Sequence, residues 1–321
     1  MTPFCFLAFL LLTSWVAACQ VPVFRYAFER WMSDQYEIVI IHDGPILQAD
    51  HGRMDHLKKS AGETTNALIR SVDIQQSSDA GFAALWKKHN NSKSLLMAIL
   101  YPKGARELPN RLMHVSTFDD RSTISLFDSP LRSETAKRLE AGQSAVWIFV
   151  PSGLMEKDTP ALETLNRKLL RCQQDLKLPA VEDLELEDAV AKEKAGQMRV
   201  EFSTITLNRD DLLEQYPLKM LLASEDDLAT SDEPLAFPVF GRGRVLYALV
   251  GKGINDEMIH RACQFMVGPC SCQVKAQNPG FDLLMNVDWE KAVGDVLLSD
   301  PLPESSSEPV LLKIPAGRKA K

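Results

Sequence analysis

Four apolar segments indicate strands along this chain. They are YEIVIIHDG at 36–44, SLLMAILYP at 94–102, SAVWIFVPSG at 144–153 and RVEFSTITL at 199–207. The second and third are apolar without alternation, the pattern of strands that are buried on both faces of a sheet. Helical patterns lie between the strands, and strands that alternate with helices favour an α/β layer structure. We therefore predict an α/β fold with mixed sheets.

Helical segments are recognised by apolar stripes and by residues suited to a helix start. The segment 22–31 has one apolar face, and the missing N–H of a proline costs nothing in a first helical turn. Ser, Thr and Asn side chains can accept hydrogen bonds from the first turn of a helix. Helices are predicted to begin at Pro22, Ser129, Thr159 and Asn255.

Two further segments are assigned from their turn residues. AFPVF and RVLYALVG flank Gly241-Arg242-Gly243, which predicts a hairpin with Arg242 and Arg244 exposed. The segment 49–80 is rich in polar residues and is predicted as a long connection with some helix. The chain contains no convincing repeat at a fixed short period.

The pattern predicts two α/β domains after a signal segment. Residues 1–18 form the signal, 19–180 the N-terminal domain, 181–198 an acidic linker and 199–290 the C-terminal domain. The segment 291–321 is rich in Pro and Ser and is predicted to be disordered.

The N-terminal segment PFCFLAFLLLTSWVAA is apolar and is followed by Cys19. An apolar core that ends in small residues predicts an export signal, although no Lys or Arg precedes the core. Val16-Ala17-Ala18-Cys19 is similar to the bacterial lipobox, so we expect lipid attachment at Cys19 and an envelope protein anchored in the membrane. The alternatives are a signal cut without lipidation, a buried first element of a cytosolic domain, and a reactive thiol at a helix start.

Composition and charge restrict the partners. The chain has 321 residues and a net charge of −7. It has no Lys/Arg run with interleaved aromatic residues, so we expect no nucleic-acid partner. Walker, G-x-S-x-G and H-E-x-x-H motifs are absent, and we predict no bound cofactor.

Cysteine positions supply the candidate thiol chemistry. Cys5 lies in the signal, so four cysteines remain beside Cys19, and two disulfides would allow three pairings. Cys172 and Cys263 lie on apolar helix stripes, where cysteine is often a small buried hydrophobe. The loop sequence GPCSC can form a disulfide or bind a soft metal ion. The candidate disulfide or redox residues are Cys172, Cys263, Cys270 and Cys272; the candidate metal ligands are His260, Cys263, Cys270 and Cys272.

Polar residues at strand and loop ends have ordinary explanations as well as functional ones. His42-Asp43-Gly44 follows a predicted strand, where active sites of α/β folds often lie, but a turn also explains the Asp-Gly pair. His51 and His56 are predicted as solvated loop residues. The adjacent aspartates at 119–120, 210–211 and 226–227 are typical of solvated loops and helix starts.

Two resemblances to known proteins bear on export and on the fold. CQVPVFRYAFERW, with FPVFGRGRVLYALVGKGI and GPCSCQVKAQNPGFDLL, resembles a family of uncharacterised exported bacterial proteins and lipoproteins that open with C-x-VPVFRYALERW. Phe28 stands where that family usually has Leu, and the resemblance implies export. More weakly, TSWVAACQVPVFRYAFERW is similar to the strand, cysteine and helix order of the thioredoxin fold, and Pro238 to the surroundings of its cis-proline. Because Cys19-Gln20-Val21-Pro22 lacks a second cysteine, this resemblance implies a thioredoxin-like fold without its redox site.

Two functions follow as hypotheses. The first is a lipid-anchored envelope module without catalytic activity that binds an unknown protein or small ligand. The second is a thioredoxin-like thiol-disulfide or thiol-metal protein that uses the GPCSC loop.

Overall fold

The computed structural model describes residues 20–89, 94–105, 108–270 and 274–299. The described helices are α1 (Val23–Arg30), α2 (Gln48–Ala61), α3 (Ala80–His89), α4 (Pro130–Glu140), α5 (Met155–Asp175), α6 (Ala189–Gly196), α7 (Gln215–Leu222), α8 (Asp256–Val267) and α9 (Trp289–Val293). The described strands are β1 (Tyr36–His42), β2 (Ala67–Asp73), β3 (Leu96–Leu100), β4 (Leu112–Thr117), β5 (Ala145–Val150), β6 (Phe202–Thr206), β7 (Leu235–Phe240), β8 (Arg244–Val245), β9 (Leu249–Val250) and β10 (Phe281–Asp282). The prediction of an α/β fold with mixed sheets is confirmed.

The first sheet has the strand order β2-β1-β3-β4. β1 pairs in parallel with β2 and antiparallel with β3, and β3 pairs antiparallel with β4. The predicted connection at 49–80 therefore contains a helix and a strand, α2 and β2. β2 is an edge strand of half-buried residues, ALIRSVD, so it lacks the continuous apolar run that reveals a central strand.

The second sheet repeats this arrangement. β5 pairs in parallel with β6 and antiparallel with β7, and β7 pairs antiparallel with both β8 and β9. β8 and β9 are two parts of one broken strand beside β7. The break lies opposite Phe237 and Pro238, and proline has no N–H to donate to the ladder. β10 extends the sheet beyond β8.

Both sheets thus place their first two strands in parallel and add antiparallel strands on one side. In each sheet a helix connects the two parallel strands, α2 in the first and α5 with α6 in the second. The chain is a structural repeat of two such units. The repeat escapes a search of the sequence because it lies in strand order and not in residue identity.

The predicted acidic linker at 181–198 lies between two paired strands of one sheet. It contains α6, and the strands on either side, β5 and β6, pair directly from Ala145 to Phe149. The passage from the first sheet to the second lies between β4 and β5, which differs from the predicted boundary. The acidic composition of 181–198 reflects an excursion at the surface of the second unit.

The two sheets share one apolar core and each has a second core on its outer face. Ile38 and Ile99 of the first sheet and Ile148 and Phe237 of the second belong to the shared core. Phe82 of α3 covers the outer face of the first sheet. α1, α5 and α8 cover the outer face of the second sheet, around the fully buried Trp147.

Arg242 and Arg244 are buried, and the prediction that they are exposed was wrong. Arg242 donates hydrogen bonds to the carbonyl oxygens of Phe28 and Glu29 at the end of α1, at 2.8 and 2.9 Å. Arg244 pairs with the buried carboxylate of Asp282. The hairpin lies inside the molecule because β10 covers β8.

The fold extends beyond the predicted start of the disordered tail at residue 291. The carboxylate of Glu29 accepts hydrogen bonds from the backbone N–H groups of Leu298 and Ser299, each at 2.9 Å. Leu298 and Ser299 are buried. The prediction of disorder is therefore wrong for 291–299, and residues 300–321 lie outside the described part of the chain.

Candidate functional site

The carboxyl end of β1 opens into a cleft with a volume of about 870 Å³. In α/β folds ligands bind outside the carboxyl ends of the strands. The walls are formed by the turn after β1, the helices α2 and α3, the segment before β3 and the end of β4 with the residues after it. The lining residues are His42, Asp43, Pro45, Leu47, Asp50, Arg53, Trp86, Ser94, Leu95, Thr117, Phe118 and Asp119.

The turn after β1 is held by hydrogen bonds from β2. The Asp73 carboxylate accepts the backbone N–H groups of Gly44 and Gln75, both at 3.0 Å. Both hydrogen bonds lower the pKa of the Asp73 carboxyl, and the bond from Gly44 has the larger effect. Gln75 donates its side-chain N–H to Asp43, which fixes Asp43 at the cleft. Gly44 has φ +76°, the left-handed conformation that the Asp-Gly pair supplies.

Arg53 brings a cation to the cleft wall, and two carboxylates already hold it. The Arg53 guanidinium contacts Asp50 at 2.6 Å and Asp120 at 3.1 Å, and it lies over the ring of Phe118. Among the residues that the structure describes, neither Asp43 nor Asp119 forms a salt bridge. The cleft therefore has an excess of negative charge beside the half-buried ring of Trp86.

The equivalent position in the second sheet, at the carboxyl end of β5, is filled by side chains of the protein itself. The Asp158 carboxylate accepts the backbone N–H groups of Ser152 and Gly153, which follow β5. Lys157 bridges Asp232 and Glu233, which precede β7, at 2.9 and 2.8 Å. The two units thus share a strand order but differ at this edge: the first unit has a cleft and the second has an ion-pair cluster.

Neither β1 nor β5 is followed by a cysteine and a helix, which is the order in thioredoxin. The residues after β1 are DGPIL and those after β5 are PSGL, without cysteine. α1, the helix after Cys19, packs outside the second sheet against α8 and β7. Pro238 lies inside β7, and the described peptide bonds are all trans.

Two of the predicted thiol residues meet between α5 and α8. Cys172 continues the buried stripe of Leu165 and Leu169 on α5, and Cys263 belongs to the buried stripe of α8. Asn255 caps α8 as predicted, by accepting the N–H groups of residues 257 and 258. A bidentate pair between Arg167 and Asp256 also joins the two helices.

His260 completes this thiol cluster, which we define as Cys172, His260 and Cys263. The Nδ1 atom of His260 lies 3.7 Å from the Sγ atom of Cys172. Hydrogen bonds with Cys263 and His260 lower the pKa of the Cys172 thiol to about 6, and the bond with Cys263 has the larger effect. Burial, and then the contact with Cys172, raises the pKa of Cys263. These shifts favour the thiolate form of Cys172 and the protonated form of Cys263.

The structure places the other predicted cysteines elsewhere. Cys270 is buried at the end of α8, where its N–H donates to the carbonyl oxygen of Val21. Cys19 and Cys272 lie outside the described residues. Within the described ranges, no three His, Cys, Asp or Glu side chains converge as a metal site.

Sequence reasoning found parts of both sites. The strand end at His42-Asp43-Gly44 is the part of the cleft that the sequence marks. The aspartates at 119–120 were predicted as solvated residues, and Arg53 and Trp86 carry no signal of their own. His51 and His56 are exposed as predicted, although they lie on α2 and not in a loop. Cys172 and His260 are 88 residues apart, and only the packing of α5 on α8 brings them together.

Comparisons with known proteins do not assign a family. No family model matches the chain, and no curated protein matches it. Among solved structures, the chain is similar to the first two thioredoxin domains of Saccharomyces cerevisiae Eps1p. The identity is 10%, the match covers 76% of this chain and 96% of that one, and the TM-score is 0.20. The fold of this chain is therefore described by its own strand order and not by this match.

Proposed function

We propose that this chain is an exported, lipid-anchored binding protein without catalytic activity, and that the cleft at the carboxyl end of β1 takes a small ligand with a positive charge. The observation that carries the proposal is the cleft itself. Its volume of about 870 Å³ falls in the range of ligand pockets, roughly 300–1,000 Å³.

The chemistry of the cleft supports a cationic ligand. Asp43 and Asp119 are exposed carboxylates, whereas Arg53 is already neutralised by Asp50 and Asp120. An aromatic face attracts cations, and Trp86 supplies one in the same wall. The hydrogen bonds around Asp73 keep the turn in place, so little ordering is needed when a ligand binds.

The packing after Cys19 supports an anchor close to the folded body. Val21 and Val23 are buried, and the N–H of Val23 donates to the carbonyl oxygen of Gly268 at 2.9 Å. The body therefore begins two residues after the proposed lipid site. No helix in the described ranges is long and apolar enough to cross a membrane.

A binding titration tests the cleft. We expect spermidine to bind the purified chain and free glutamate not to bind. The double substitution Asp43→Asn and Asp119→Asn keeps the side-chain shapes but removes two charges. It should weaken spermidine binding about tenfold, which corresponds to about 1.4 kcal/mol, as measured by isothermal titration calorimetry.

A matched double variant controls for general electrostatics. Asp226→Asn and Asp227→Asn remove two exposed charges outside the cleft. This variant should bind spermidine as the unchanged chain does. Equal losses in both double variants, or no binding in any of the three proteins, would refute a cation site at the cleft.

A further inference from the structure

The thiol cluster has a chemistry that the proposed binding function does not use. Cys172 and Cys263 are buried on facing helices, and both are thiols in this structure. The Nδ1 atom of His260 lies 3.7 Å from the Cys172 sulfur. A nucleophile, a group that can move its proton and a second thiol are thus present in one cluster.

We propose that Cys172 and Cys263 form a peroxide-sensitive pair that closes to a disulfide between α5 and α8, with His260 as the proton carrier. The pair lies on the outer face of the second sheet. Its chemistry depends neither on the cleft nor on the lipid anchor.

The reaction needs hydrogen peroxide as its oxidant. The Cys172 thiolate attacks one peroxide oxygen, and the O–O bond breaks. This step leaves a sulfenic acid on Cys172 and a hydroxide ion, which takes the proton that His260 received from Cys172. The Cys263 thiol then attacks the Cys172 sulfur, the S–O bond breaks and a second water leaves. Two thiols and one peroxide become one disulfide and two waters.

The size of the oxidant fits the burial of the pair. Cys172 is 1% exposed and Cys263 is fully buried, so a bulky disulfide reagent has no direct path to either sulfur. Peroxide is little larger than water. The neighbouring Arg171 is exposed and His260 is half-buried, which places the Cys172 end of the pair one residue from the surface.

The surroundings favour Cys172 as the attacking sulfur. The charged and titratable groups that act on the pair are Lys168 on α5 and His260 on α8, and Tyr247 after β8 lies near Cys263. Lys168 and His260 both favour the Cys172 thiolate, and Cys263 donates a hydrogen bond to it. Thiolate character of this kind selects which cysteine an oxidant attacks.

Peptide mapping of the unchanged chain tests the pairing without any variant. The purified protein is treated with hydrogen peroxide, alkylated under denaturing conditions and digested. We expect a peptide pair joined by Cys172 and Cys263, and an intact mass lower by two hydrogens. Recovery of both cysteines as alkylated thiols, or pairing of either with Cys270, would overturn the proposal.

Four substitutions separate the roles. Cys263→Ser should leave Cys172 as a sulfenic acid, which dimedone labels when the treated protein is unfolded. His260→Gln should slow disulfide formation at neutral pH at least about tenfold. Cys270→Ser, a buried cysteine outside the cluster, should leave the disulfide unchanged. Equal peroxide consumption by the unchanged chain and Cys172→Ser would contradict the assignment of the nucleophile.

The pH profile of the peroxide reaction is a separate prediction for the same cluster. Because the pKa of Cys172 lies at about 6, its rate of reaction with hydrogen peroxide should rise through pH 6 and level off near neutral pH. An ordinary thiol, with a pKa of about 8.5, still gains reactivity above pH 8. His260→Gln should move the midpoint of Cys172 upward. A midpoint near 8.5 in the unchanged chain would show that the cluster does not activate Cys172.

Discussion

Replacing Arg132 with methionine is expected to lower the free energy of unfolding by about 4 kcal/mol. Arg132 is 2% exposed and lies in the first turn of α4. Its guanidinium donates to the carbonyl oxygens of Ser125, Leu126 and Leu284, the last two at 2.9 and 2.8 Å. Methionine fills similar space but leaves these buried carbonyl groups without a donor, and each unsatisfied group costs about 1–3 kcal/mol.

Arg132 also keeps its charge at neutral pH. Burial lowers its pKa to about 10, which is still well above neutral. Asp128 and Glu214 are the nearest compensating carboxylates, and Glu214 also accepts the N–H of Leu131 at the start of α4. The residue therefore joins α4, the loop before it and the segment after β10 through one cation.

Urea unfolding monitored by circular dichroism measures this effect. The control is Arg261→Met, because the exposed Arg261 forms its one salt bridge within the described residues with the exposed Glu257, one turn away on α8. Exposed pairs of this kind contribute less than about 1 kcal/mol. A loss below about 1 kcal/mol for Arg132→Met, or equal losses in the two variants, would show that the buried cation is not a main support of the fold.

Replacing Cys19 with alanine is expected to abolish lipid attachment altogether. The proposed anchor is a thioether between the Cys19 sulfur and a diacylglyceryl group, and alanine has no nucleophile to form it. Metabolic labelling with an alkyne fatty acid in the native host should label the unchanged chain and leave Cys19→Ala unlabelled. One acyl chain alone would hold the protein only weakly, so a stable anchor needs two or more.

The neighbouring residue supplies the control for this experiment. Gln20→Ala changes an exposed side chain beside the proposed site and should keep the label. Label on Cys19→Ala would place the lipid on another residue. An unlabelled unchanged chain would mean that the segment before residue 19 does not direct lipidation.

The central strands could be predicted from sequence because burial on both faces demands continuous apolar residues. β5, AVWIFV, is buried at every position and its segment is recognisable at once. β2 is an edge strand of half-buried and exposed residues, so its polar residues resemble those of a loop. The same limit explains Arg242 and Arg244. A Gly-Arg-Gly-Arg hairpin is typical of an exposed turn, but contacts with the end of α1 and with β10 bury the two side chains.

The candidate sites were predictable only in part, for a similar reason. Local patterns placed Cys172 and Cys263 on apolar stripes, but the contact between those stripes depends on how α5 and α8 pack on the second sheet. The cleft combines residues from the turn after β1, α2, α3, the segment before β3 and the end of β4. A strand end can be recognised along the chain, whereas a wall built from five elements appears only when the sheet is formed.

Mass spectrometry of the protein purified from its native host tests the central claim most directly. We expect a mature chain that begins at Cys19 and carries a diacylglyceryl group on its sulfur. A chain that retains residues before Cys19, or one with an unmodified Cys19 thiol, would contradict the proposal of a lipid-anchored envelope protein.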